Sequence, residues 1–272
     1  MTTREILQKT ASWLAGKGFE SARLEAELLL AHLLSTDRVG LYVDPDRPLT
    51  GEEIDAYRDL IRRRAGGEPV AYLTGQREFF GLQFEVTPAV LVPRPETEML
   101  VDRARQLNAR RLLDLCTGSG CVAVTCAVRL PETEVVATDL SAAALEVARR
   151  NAATHGVENR VRFLEGDLFE ALGSDDRFDL ITANPPYVPQ GQAAAVALHE
   201  PQEALFAGAD GMAILRRLIG GAPARLEPGG TLLVEIGEDQ EVAVRAETEP
   251  LFASVEIHRD LAGHPRILEA RG

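Results

Sequence analysis

No stretch of this chain approaches the roughly 20 apolar residues that a membrane span requires. There is no internal repeat and no low-complexity tract. Positive charge is scarce: 29 Lys and Arg stand against 42 Asp and Glu, a net charge of -13. That balance argues against a general polyanion binder, because phosphate contacts need clustered Lys and Arg. Cysteine is rarer still, and Cys116, Cys121 and Cys126 are not at C-x-x-C spacing. His32, His155, His199, His258 and His264 are scattered, with no pair at ligand spacing. No metal site is expected. Met1-Thr2-Thr3-Arg4 leads into an amphipathic pattern and not into a signal-peptide core. The expectation is a cytoplasmic protein with reduced thiols.

At 272 residues, 45% of them hydrophobic, the chain can bury the core of one large domain or two smaller ones. Residues 1–73 read as helical throughout. Thr2 with Glu5, and Thr50 with Glu53, have capping-box spacing. Ile6, Leu7, Trp13 and Leu14 are expected to form one apolar face, and Leu24, Leu28, Leu29, Ala31 and Leu33 a mostly buried one. A three- or four-helix module is the expected product. Arg62-Arg63-Arg64 near its last helix end complements the helix dipole and reads as a solvated end, not an RNA patch.

Residues 77–86 then place two short strands about Gly81, a hairpin. Pro95 is well placed to start a helix. From Arg111 the pattern becomes strand, loop, helix, repeated, with strands expected at 111–115, 134–138, 160–164, 178–183 and 230–236. That alternation predicts a parallel sheet covered by helices. Segments 254–259 and 265–270 are strands joined by a loop too short for a parallel crossover, so the sheet is expected to end in an antiparallel hairpin.

Gly118-x-Gly120-x-x-Ala123, followed about 20 residues later by Asp139, fits the loose dinucleotide fingerprint and on its own suits an NAD enzyme. Two features shift the weight. Asp114 lies inside the first strand and Asp167 just beyond the third, so Asp114, Asp139 and Asp167 would stand along one sheet edge. A sulfonium with an α-amino group, a ribose diol and an adenine amine offers cationic or donor groups to such carboxylates, whereas a pyrophosphate is repelled. Gly118 and Gly120 let the backbone approach closely. The layout points to S-adenosyl-L-methionine, and the tail hairpin belongs to a methyltransferase sheet and not to a dehydrogenase.

Phe178-Asp179-Leu180-Ile181-Thr182-Ala183 is an apolar strand halted by Asn184-Pro185-Pro186-Tyr187. The prolines cannot donate to a ladder and bias the preceding residues towards extended geometry. Asn184 is thereby placed at the carboxyl end of the strand, the edge where open α/β sheets bind ligands. The Asn184 side-chain oxygen and the Pro185 carbonyl would accept both N–H bonds of a planar NH2 group, and the Tyr187 ring would pack on the substrate group. Methyl transfer is an in-line displacement, so positioning and electrostatics can supply most of the acceleration. This chemistry indicates methylation of an amino group without saying which one.

Several further pieces carry a family likeness: Phe79-Phe80-Gly81-Leu82-x-Phe84, Leu91-Val92-Pro93-Arg94-Pro95-Glu96-Thr97-Glu98, Asp114-Leu115-Cys116-Thr117-Gly118-Ser119-Gly120, and Glu200-Pro201 with Ala204-Leu205. Together with Asn184-Pro185-Pro186-Tyr187 and the helical N-terminal module, they make the chain resemble the HemK/PrmC family, the peptide chain release factor glutamine N5-methyltransferases. The resemblance implies a seven-stranded Rossmann-like class I methyltransferase sheet, a small all-α N-terminal domain (residues 1–73) that docks the release factor, a linking β-hairpin (74–92) and a catalytic domain (93–272).

It also implies that the substrate is the glutamine of the Gly-Gly-Gln loop of class 1 release factors, with no stable nucleic-acid or membrane partner. S-adenosyl-L-methionine would be held by Asp114, Cys116, Thr117, Gly118, Ser119, Gly120, Asp139, Asp167 and Leu168, with Asn184 beside it. Asn184, Pro185, Pro186 and Tyr187 would hold the glutamine. Cys116 stands where the family usually has glycine; a positive φ there would strain it, an extended one would not. Methylation of a ribosomal-protein glutamine, adenine methylation of nucleic acid, and cofactor binding without turnover are the alternative readings.

Overall fold

The structure is a computed structural model that describes residues 1–191 and 199–272. The chain divides into two compact units, Met1–Gln76 and Arg77–Gly272. The first contains α1 (Thr3–Gly16), α2 (Ala22–Leu33), α3 (Gly40–Val43), α4 (Gly51–Ala65) and α5 (Val70–Thr74). Both capping boxes form: Thr2 and Thr50 each accept from the backbone of a glutamate three residues on, whose side chain bonds back. Leu14, Ala26, Leu29, Leu30 and Tyr57 fill the interior, where the Tyr57 hydroxyl donates to the Ala26 carbonyl at 2.9 Å.

Glu27 is buried among these apolar groups and is compensated by Arg23, Arg38 and Tyr42. Burial raises its pKa, but the three hydrogen bonds outweigh that and leave it lowered. Each arginine of the 62–64 run is paired with an acid: Arg62 with Asp59, Arg63 with Glu68 and Arg64 with Glu25. Three expected core positions are corrected. Trp13 is 47% exposed, and Leu24 and Leu28 are 40% and 36% exposed. Helical periodicity marks a stripe of apolar residues, but the width of stripe that neighbouring helices cover is a tertiary property. The Trp13 indole instead lies under the Lys17 ammonium, 5.2 Å from the ring centre.

The second unit begins with a two-stranded sheet, β1 (Gln76–Phe79) and β2 (Leu82–Glu85), turning through Phe80 and Gly81, both at positive φ. Phe79 and Phe84 are buried in the core. A 3-10 turn at Pro95–Thr97 leads into α6 (Glu98–Gln106). Then follow β3 (Arg111–Leu115), α7 (Cys121–Arg129), β4 (Glu134–Asp139), α8 (Ala142–Thr154), β5 (Val161–Glu165) and β6 (Phe178–Ala183). The chain ends with α9 (Ala213–Gly221), β7 (Leu226–Glu235), α10 (Glu241–Thr248), β8 (Ser254–Arg259) and β9 (Pro265–Arg271).

The order across the seven-stranded sheet is β5-β4-β3-β6-β7-β9-β8. The first five are parallel neighbours, and β9 runs antiparallel to both β7 and β8. The order reverses between β3 and β6, so their carboxyl ends open a crevice at the switch point. One apolar layer covers each face of the sheet. Leu112, Leu180, Leu233 and Ile267 face one layer, and Leu113, Ile181, Val234 and Leu268 the other. By strand alternation Asp114, Thr182 and Glu235 therefore lie on the first face, the one that α6 and α7 cover.

Candidate active site

The ends of β3, β4, β5 and β6 and the loops that leave them build the site. β3 ends at Leu115, and the chain turns through Cys116 (φ 57), Gly118 (φ 55) and Gly120 (φ 78) into α7. Cys116 therefore holds the left-handed geometry that suits glycine, a strained conformation for its side chain. Its thiol is pushed up by burial and then by the neighbouring acids Asp139, Asp114 and Asp167. Cys121 is likewise pushed up to about 12 by burial, so its place at the start of α7 does not activate it. A Cβ on Gly120 would sit 3.0 Å from the Ala148 side chain, which accounts for glycine where the loop meets α8.

Asp114 is buried, and its two oxygens accept from the hydroxyls of Thr117 at 2.6 Å and Thr182 at 2.8 Å. Burial nevertheless raises its pKa to about 6. A carboxyl whose folded pKa lies above its unfolded value loses stability as pH climbs between the two. Asp114→Asn should therefore become progressively more stable relative to the parent from pH 4 to pH 7, by up to about 3 kcal/mol. Urea midpoints at both ends of that range check it; a pH-independent difference would contradict it.

Asp139 ends β4. One oxygen accepts from the Gly118 N–H at 2.8 Å, the other from the Ser141 N–H at 2.9 Å, and burial raises its pKa. Asp167 lies two residues past β5 and pairs with Arg217 at 2.9 Å. Leu168 is buried at φ 52, and its carbonyl accepts from the Thr138 hydroxyl. These residues line one cavity of about 310 Å³ with Cys116, Thr117, Ser119, Asn184 and Pro186.

The donor set suits S-adenosyl-L-methionine. Buried Asp114 and half-buried Asp139 and Asp167 line a cavity with no basic residue among the described residues of its lining, and Leu140, Leu168 and Ile214 give it apolar surface for a purine. Among the described residues the buried Ser119 hydroxyl has no hydrogen-bond partner, and a side chain on Gly118 would meet nothing within 4 Å.

Asn184 follows β6 at the rim of the cavity, and its side-chain Nδ2 donates to the Thr97 hydroxyl at 3.1 Å. Pro185 is buried. The Tyr187 hydroxyl donates to Glu235 Oε1 at 3.2 Å, while its backbone carbonyl accepts from Gln240 Nε2 at 3.1 Å. Gln240 Nε2 also donates to the Gly211 carbonyl, so one amide fastens two loops. Gly211 has φ 73, and a Cβ there would lie 2.3 Å from the Tyr187 carbonyl oxygen. Gly211→Ala is expected to push the turn out of place and lower the turnover number about 10²-fold, the scale of a 1 Å misplacement. A steady-state assay that finds the parent rate would contradict this.

Beyond the turn, Glu200 is buried and accepts from the Val92 N–H at 3.1 Å and from Arg94 at 2.5 Å. His199 is half-buried. Sequence reasoning assigned no role to Thr97, Gln240 or Glu235. Only Glu235 left a visible sign: a carboxylate embedded in the apolar run Leu232-Leu233-Val234-Glu235-Ile236.

Comparison with known proteins bears on the family and the fold. Residues 5–75 match the PrmC N-terminal domain, and residues 95–261 the methyltransferase small domain. A methyltransferase from Pyrococcus furiosus superposes with a TM-score of 0.56 at 20% identity, covering 77% of this chain and 98% of that one. A 16S rRNA methyltransferase of T. Thermophilus, in complex with AdoMet and guanosine, superposes with the same score and identity over 72% of this chain and 49% of its own. Fold and site thus define an S-adenosyl-L-methionine-dependent methyltransferase of the Rossmann-like class.

Among sequence relatives, the release factor glutamine methyltransferase of Geobacter sulfurreducens is 48% identical over 89% of this chain and 87% of its own. That of Chlorobaculum tepidum is 41% identical over 94% and 92%. The chain belongs to the release factor glutamine methyltransferase family. Among the described residues no helix is long and apolar enough to cross a membrane.

Proposed function

We propose that this protein transfers a methyl from S-adenosyl-L-methionine to the side-chain amide nitrogen (N5) of the glutamine in the Gly-Gly-Gln loop of class 1 peptide chain release factors. The observation that carries this reading is the orientation of Asn184: its Nδ2 is committed to Thr97, so Oδ1 is the atom left to accept an incoming N–H. With the Pro185 carbonyl as second acceptor, the turn takes both hydrogens of a planar NH2 group. That pulls the nitrogen towards tetrahedral geometry and frees its lone pair. The bound cofactor supplies an electrophilic methyl.

Asp139 and Asp167 would hold the hydroxyl and ammonium groups of the cofactor, Leu168 its purine, and the 116–120 loop its backbone contacts, while Asp114 shapes that loop. Tyr187 would pack on the substrate amide. No strong base is required, because a nitrogen that has been alkylated loses a proton readily. The helical unit is assigned to docking the release factor. The surplus of 42 acidic over 29 basic side chains supports a protein substrate over a nucleic acid.

Incubation with methyl-labelled cofactor and, separately, a recombinant release factor, ribosomal proteins and DNA or RNA tests the substrate class. Label in the release factor alone is expected. Label only in ribosomal protein or nucleic acid would overturn the reading.

A further inference from the structure

Glu235 has no part in the chemistry outlined above, yet it lies beneath both ends of the Asn184–Tyr187 turn. It is 1% exposed at the end of β7, on the sheet face covered by α6. Its Oε1 accepts from the Tyr187 hydroxyl, and its buried Oε2 has no hydrogen-bond partner among the described residues. Thr97, 1% exposed at the start of α6, accepts from Asn184. A hydroxyl that accepts still has one proton to give. Burial raises the Glu235 pKa to about 7, against which the Thr97 and Tyr187 hydroxyls favour its charged form, though among the described residues no closed hydrogen bond reaches Oε2.

The unspent proton and the unfilled acceptor are complementary. A threonine hydroxyl on its own accepts from an amide NH2 or donates to an amide oxygen equally well, so it cannot choose which way round Asn184 sits. A carboxylate behind it can. In its charged form it accepts only, so it draws the hydroxyl proton towards itself and leaves Thr97 able only to accept from Asn184.

Resting on the assignment of Asn184 as the substrate acceptor, we propose that Glu235 is a positioning residue for methyl transfer. Through Thr97 it sets the direction of the hydrogen bonds so that Asn184 turns its oxygen, not its NH2, to the substrate amide, and through Tyr187 it fixes the other end of the turn. A glutamine in its place would offer Thr97 an NH2 group as readily as an oxygen. Asn184 could then present a donor to a substrate that is itself a donor.

The test uses the full-length protein with a recombinant release factor in single-turnover methylation, alongside cofactor binding by equilibrium dialysis. Glu235→Gln and Thr97→Val should each slow methyl transfer about 10- to 100-fold, with the cofactor dissociation constant within about threefold of the parent. Thr97→Ser, which restores the hydroxyl, should stay within about threefold of the parent rate. Because the two residues act in series, the double variant should be little slower than the slower single one.

Parent rates in Thr97→Val, or losses that multiply in the double variant, would overturn the proposal. Should Glu235→Gln fail to fold, Thr97→Val and Thr97→Ser decide it. Asn184→Ala separates the two levels. If it is inactive while Thr97→Val is at full rate, only the positioning role falls. If Asn184→Ala itself is at full rate, the underlying site reading falls.

Discussion

Replacing Asn184 with alanine is expected to lower the single-turnover rate of methyl transfer by about 10²- to 10³-fold, the usual loss when one preorganised electrostatic partner of a transition state is removed. The effect should lie in the chemical step. Asn184 contributes one side-chain acceptor to the NH2 group, and a release factor presents far more surface than that group, so its affinity should change little. The fold should be spared as well: the residue lines the cavity, and its one side-chain hydrogen bond among the described residues runs to Thr97. Rapid-quench measurement at saturating cofactor and release factor checks this. A raised KM with an unchanged turnover number would mean that Asn184 binds substrate uniformly and does not act on the transition state.

Asp139→Ala carries the second large effect, on cofactor affinity. The carboxylate holds the glycine loop by accepting from the Gly118 N–H and holds the start of α8 by accepting from the Ser141 N–H. Its removal strands two backbone donors and takes an acceptor away from the cofactor hydroxyls. Hydrogen bonds to charged groups contribute about 1.5–3 kcal/mol each, so the dissociation constant for S-adenosyl-L-methionine should rise about 10- to 100-fold. Asp139→Asn, which keeps one acceptor oxygen, should fall between parent and alanine. Isothermal titration with the cofactor decides; parent-like affinity in Asp139→Ala would remove Asp139 from the site.

Local signals made much of this molecule legible. Thr2 with Glu5 and Thr50 with Glu53 announced two helix starts, because a capping box is written in four consecutive residues. Asp114, Asp139 and Asp167 were readable as one edge, because parallel strands of similar length end side by side. Asn184-Pro185-Pro186-Tyr187 was readable because the prolines themselves stop the strand. The contacts that orient the turn were not.

Thr97 and Asn184 are 87 positions apart, and Tyr187 and Glu235 are 48 apart. No spacing rule spans such gaps; the packing of α6 against the sheet brings the first pair together, and the pairing of β6 with β7 the second. Gln240 was silent for the same reason: nothing near it in sequence reveals that it fastens Tyr187 to Gly211. Trp13, Leu24 and Leu28 went astray differently, since their apolar character was plain and their exposure depended on neighbours the sequence does not name. For Cys116 the conformation was left open, and the structure resolves it at φ 57.

The most direct test of the central claim concerns one atom. A release factor would be methylated with isotopically labelled S-adenosyl-L-methionine, digested, and the peptide containing Gly-Gly-Gln sequenced by tandem mass spectrometry. The account predicts a single methyl on the side-chain nitrogen of that glutamine, formed at least about 10²-fold more slowly with Asn184→Ala and absent when the target glutamine is replaced. A methyl on any other residue of the release factor, or one formed at the parent rate with Asn184→Ala, would contradict it.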